Sequence, residues 1–155
     1  MSFEKCLLAA QGYMELEMPR EAIAELDSLP PRERDVESAL QLRLFICMKS
    51  QQWDEALRIC DRLRKLYPEA ASGYIHGAFC LHEGGRTGDA LNLLLSGPPA
   101  LEEEATYFYN LACYSAVLGD LDGAVEYAER SFEMDDKFRE IAKVDPDLRE
   151  LRDRL

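Results

Sequence analysis

Residues 110–124 read NLACYSAVLGDLDGA. Leu111, Ala112 and Ser115 belong to one helical pattern, a Gly119-Asp120 turn interrupts it, and Leu121, Ala124 and Val125 open a second. Moving 34 residues at a time toward the N-terminus from Ala124 reaches Ala90, Ala56 and Ala22, and from Ala112 it reaches Ala78, Leu44 and Ala10. Two columns of mostly small residues held in phase over four copies, without an insertion, define a repeat of helix-turn-helix units.

Four such units fill about residues 2–34, 35–68, 69–102 and 103–136, and residues 137–155 remain as a C-terminal helical cap. A chain of 155 residues then has no room for a second, unrelated domain. Its 18 Lys and Arg against 30 Asp and Glu give a net charge of −12, which repels phosphate backbones and anionic lipid, so nucleic acid and membrane are excluded as partners. No apolar run approaches the roughly 20 residues of a membrane span. The N-terminal stretch MSFEKCLLAAQGYMELEM is too acidic and its apolar run too short for a signal peptide. Five cysteines without a CxxC pair suit reduced thiols, and the expectation is a cytoplasmic protein.

Each unit carries its apolar residues at helical spacing. Cys6, Ala10 and Tyr13, then Ala22, Leu26 and Leu29, mark the first; Leu40, Leu44 and Cys47, then Ala56, Cys60 and Leu63, mark the second. The third has Tyr74, Ala78 and Leu81 before Gly84-Gly85 and Ala90 and Leu94 after; the fourth has Phe108, Ala112 and Ser115 before Gly119 and Ala124, Ala128 and Ser131 after. Small residues are needed where two helices cross, because a larger side chain would hold the backbones apart, and Leu44 predicts a wider crossing in the second unit. At twice the period Leu26 matches Leu94 and Pro30-Pro31 matches Pro98-Pro99, which predicts short second helices in odd units and long ones in even units. In the tail, Lys137–Val144 and Pro146–Leu155 read as two helices, the second capped by Asp145, with Ile141, Val144, Leu148, Leu151 and Leu155 covering the last repeat.

These columns resemble those of the tetratricopeptide repeat family over about residues 2–136. The family's small residue opening the second helix stands as Ala22, Ala56, Ala90 and Ala124, and that of the first helix as Ala10, Ala78 and Ala112; its early aromatic appears only as Tyr74 and Phe108, and its closing proline only as Pro68. The fourth unit and the tail, with DPDLRELRD, also resemble a variant that ends such arrays in bacterial proteins. The resemblance implies an all-α fold, a right-handed α-α superhelix of four helix pairs plus C-terminal capping helices.

It also implies a concave groove along the stripe one residue beyond each first-helix core position. Here that stripe reads Leu7, Gln11 and Met14; Gln41, Phe45 and Met48; Ile75, Phe79 and His82; and Tyr109, Cys113 and Ala116, with Leu42, His76 and Asn110 beside it. Phe45 and Phe79 are 34 residues apart and hold the same place in successive units. The stripe is apolar enough to take a partner's apolar segment, and the same residues would also suit packing between neighbouring helices. The family's carboxylate clamp is not expected, because its positions hold Leu7, Gln11, Leu42, Ser72 and His76, none with a fixed positive charge.

No catalytic constellation, cofactor loop or metal cluster emerges: His76 and His82 fall on different helix faces, and no histidine adjoins Cys113 in sequence. The expected function is therefore non-catalytic and cofactor-free, an adaptor or chaperone-like module that holds a partner's apolar peptide or helix, as a monomer or weak dimer. The alternative is a scaffold whose groove is filled by its own tail or a second copy. Small acidic chaperones of bacterial secretion systems are similar in size and charge, though no motif singles them out.

Overall fold

The computed structural model describes residues 2–155, and every regular element in them is helical. The chain divides between Tyr67 and Pro68 into two compact units. The first contains α1 (Phe3–Glu15), α2 (Pro19–Asp27), the single turn α3 (Pro31–Arg34), α4 (Glu37–Lys49) and α5 (Trp53–Leu66). The second contains α6 (Ser72–Glu83), α7 (Thr87–Leu95), a 3-10 turn Pro99–Glu103, α8 (Ala105–Val117), α9 (Leu121–Met134), α10 (Lys137–Ala142) and a 3-10 run Pro146–Arg154.

The helices pack as pairs α1 with α2, α4 with α5, α6 with α7, and α8 with α9. At their crossings Ala10, Ala22, Ala56, Ala78, Ala90, Ala112 and Ala124 are each 0% exposed, which is the reason those columns hold small residues. Leu44, the exception, is also buried. The second helices alternate in length as the doubled period predicts, with 9 residues in α2 and α7 and 14 in α5 and α9.

Each first helix ends in the same way. Glu17, Gln51, Gly85 and Gly119, spaced by 34, all take left-handed backbone angles, with φ of 57°, 58°, 79° and 93°. The following residue donates its N–H five residues back, from Met18 to Tyr13, Gln52 to Cys47, Arg86 to Leu81 and Asp120 to Ser115, at 2.8–2.9 Å. That is the Schellman cap, repeated four times. In the GDLDGA stretch Gly119 supplies the left-handed residue, and Asp120 then caps α9 by accepting from the Gly123 N–H at 3.0 Å. A Cβ on residue 123 would lie 2.9 Å from the Asp120 carboxyl carbon, so the second glycine makes room for the cap.

The tail departs from expectation. Its second segment is 3-10, not α-helical, and Ile141, Val144 and Leu155 are exposed (42%, 77% and 38%). Leu148 and Leu151 are buried as expected, each 0% exposed, and Phe138 and Ala142 are buried in place of the other three. The tighter turn after Pro146 puts Leu148 and Leu151 on one buried face and turns Leu155 off it, where 3.6 residues per turn would keep all three together.

Candidate functional site

In the first unit, α1, α4 and the turn before α2 enclose a pocket of about 630 Å3. Gln11, Met14 and Phe45 of the predicted stripe line it together with Leu42 beside the stripe, with Pro19 and Ser50 adjoining and Glu15, Glu17 and Lys49 at its charged margin. Its formation follows from α4, which is apolar on more than one side. Leu40, Leu44, Ile46 and Cys47 are buried, which leaves Leu42 and Phe45 on the remaining face. Phe45 is 47% exposed, and the Lys49 ammonium stands 5.8 Å from its ring centroid. Leu7 and Met14 pack partly against the core of this unit, and Met48 is half-buried. Gln41 is exposed and donates its amide to Glu37 at 3.1 Å, outside the pocket lining.

In the second unit the stripe has a different fate. Ile75, Tyr109 and Cys113 are buried (8%, 5% and 4% exposed), so they offer no open groove surface. Residues of the tail meet the last two: the Tyr109 hydroxyl donates to Asp145 Oδ2 at 2.6 Å, the Cys113 thiol donates to the same oxygen at 3.6 Å, and the Tyr109 ring stacks on Phe138 with centroids 4.8 Å apart. His82 joins this contact. Its Nε2 lies 3.0 Å from Asp147 Oδ2, its Nδ1 lies 2.9 Å from Thr87 Oγ1, and its ring meets Tyr114 at 4.8 Å. His76, Phe79 and Asn110 are half-buried.

The electrostatics of this cluster follow from its burial. Burial, with the nearby carboxylates of Asp145 and Asp147, pushes the Cys113 thiol far above the ordinary range, which disfavours the thiolate. Burial and the bond to Asp145 likewise raise Tyr109, and burial lowers His76 below its ordinary value. The donor atoms of Cys113, Asp145 and Asp147 lie within 4.8 Å of one another, the one such grouping among the described residues, but each carboxylate already accepts hydrogen bonds from the protein. All five cysteines are buried.

The sequence signalled one half of this contact: Asp145 caps the 3-10 run, accepting from the Asp147 N–H at 3.0 Å. Its second role, as acceptor for Tyr109, joins residues 36 apart in sequence and has no local signature.

The helix pairs, their repeated caps and the small-residue crossings define an all-α protein of the tetratricopeptide-repeat fold. Solved structures bear this out. The chain is similar to a crystal structure of MamA (TM-score 0.78, 14% identity, 98% of this chain and 85% of that one). It is similar also to a thermophilic TPR protein, TTC0263, of Thermus thermophilus (TM-score 0.70, 17% identity, 97% and 81%). A third is YrrB, described as a TPR protein with an unusual peptide-binding site (TM-score 0.66, 15% identity, 92% and 79%). At these identities the likeness is one of fold. No family model and no curated protein matches the sequence. Among the described residues no helix is long and apolar enough to cross a membrane.

Proposed function

We propose that this protein is a non-catalytic adaptor or chaperone-like module of the cytoplasm that holds an apolar segment of a partner protein in the pocket between α1 and α4. The observation that carries the reading is Phe45, a large aromatic left 47% exposed beside Leu42 and Met14 at a cavity of about 630 Å3. A concave apolar site with a few polar groups at its rim suits a side chain or two of a docked helix or strand. Met14 adds a flexible surface able to mould to different side chains. The peptide-binding site named for YrrB lends the reading support by analogy of fold alone.

The test is a pair of substitutions. Phe45→Ala should keep the unfolding temperature of the wild type, because the ring is half in water, while binding of apolar helical peptides from a display library falls by at least tenfold. If Phe45→Ala instead unfolds the protein and its residual folded fraction binds normally, the ring is core and the pocket is not the site. The Tyr109–Asp145 contact favours a second reading for the other unit, in which the chain's own tail fills the corresponding face.

A further inference from the structure

The tail segment Asp145–Leu151, DPDLREL, lies on the second unit in the manner of a bound peptide. Its side chains enter in a fixed order. Asp145 accepts from Tyr109 and Cys113 on α8, Asp147 meets His82 on α6, and Leu148 and Leu151 are 0% exposed, whereas Pro146, Arg149 and Glu150 face solvent. The segment is also pre-shaped, since Asp145 Oδ1 accepts from the Asp147 N–H and the Asp145 carbonyl accepts from Arg152 Nη2 at 2.8 Å. The seat has matching needs. The Tyr109 hydroxyl and Cys113 thiol are buried donors whose acceptor is supplied by the tail, and leaving them unmet is costly.

We propose that this face of α6 and α8 is a recognition site for a segment of another protein carrying Asp-x-Asp-Leu-x-x-Leu, and that residues 145–151 are its resident ligand in cis. The chemistry of the occupant is read from the seated tail: two carboxylates two residues apart for Tyr109 and His82, then aliphatic side chains three and six residues after the first. A tethered ligand acts at an effective concentration of about millimolar, so a free segment of equal chemistry enters only when the tail is weakened or outnumbered. This site is independent of the pocket between α1 and α4 and stands or falls separately from it.

The test uses the full-length chain and a labelled synthetic peptide of residues 144–155, VDPDLRELRDRL. Asp145→Ala with Asp147→Ala weakens the tail and leaves the seat intact, and this variant should bind the peptide at least tenfold more tightly than the wild type. Adding Tyr109→Phe, which removes the hydroxyl and keeps the ring, should take most of that gain away, as should alanine at both aspartates of the peptide. If the double variant does not fold, Asp147→Asn, which keeps the side-chain shape and the Asp145 cap, carries the same comparison. A folded variant with no saturable binding up to millimolar peptide, or with binding indifferent to Tyr109→Phe, would overturn the proposal. So would a variant that forms dimers which the peptide cannot dissociate, since the occupant would then be a second copy.

Discussion

Ala22 and Ala24 sit two residues apart on α2, and only one of them faces the crossing with α1: Ala22 is 0% exposed and Ala24 lies in solvent. Ala22→Leu should therefore cost roughly 1–3 kcal/mol of stability, while Ala24→Leu should change it by less than about 0.5 kcal/mol. Chemical denaturation of the two variants measures the difference, and equal effects would mean the column has no packing role. His76 offers a second test at this scale. Burial lowers its folded-state pKa below the ordinary 6.5, so the unfolded chain takes up its proton first. The stabilising contribution of the neutral ring is whole above pH 6.5 and is lost as pH falls toward the lower folded value. A pH series of unfolding midpoints should show that loss in the wild type and not in His76→Gln. These buried alanines were legible from spacing alone, since their role repeats. The positions of Tyr109 and His82 were not, because each takes its meaning from a partner 36 or 65 residues away.

At the level of elements, the four Schellman caps put two glycines and two non-glycines through the same left-handed turn. For a residue with a side chain that conformation costs about 1–2 kcal/mol, part of which a glycine gives back in unfolded-state entropy. Gln51→Gly should thus stabilise the protein by up to about 1 kcal/mol, and Gly119→Ala should destabilise it by about 1 kcal/mol. No atom stands within 4 Å of a Cβ on residue 119, so the second effect is purely conformational. Denaturant midpoints for both variants, moving in opposite directions, would establish this. The glycines advertise their turns in the sequence, whereas Glu17 and Gln51 are found only by carrying the 34-residue spacing onto residues that do not look like helix stops. The 3-10 tail was hidden for a different reason: the spacing of Leu148 and Leu151 fits an α-helix and a 3-10 run equally well.

Over the whole molecule the acidic charge is unevenly placed, with 10 Lys and Arg against 12 Asp and Glu in residues 1–67 and 8 against 18 in residues 68–155. The unit that is nearly neutral carries the open apolar pocket, and the strongly acidic unit has its stripe closed by a tail that brings two carboxylates, Asp145 and Asp147, onto it. Removing residues 137–155 would uncover Tyr109, Cys113 and the apolar side chains beneath Leu148 and Leu151. The shortened chain should aggregate or melt without cooperativity, as an array without its cap does. Light scattering during thermal unfolding reads this directly. Period and column composition made the fold legible from the sequence, and they placed Gln11, Met14, Leu42 and Phe45 on one face. Which parts of the stripe stay open depends on where the tail returns, and tertiary contacts alone decide that. Whether the pocket between α1 and α4 docks an apolar segment is read by an amide and methyl NMR titration of the full chain with a leucine-rich amphipathic helical peptide. Docking there should give saturable shifts concentrated at Gln11, Met14, Leu42 and Phe45 and absent in Phe45→Ala; shifts centred elsewhere, or unchanged by that substitution, would show that the pocket is not the docking site.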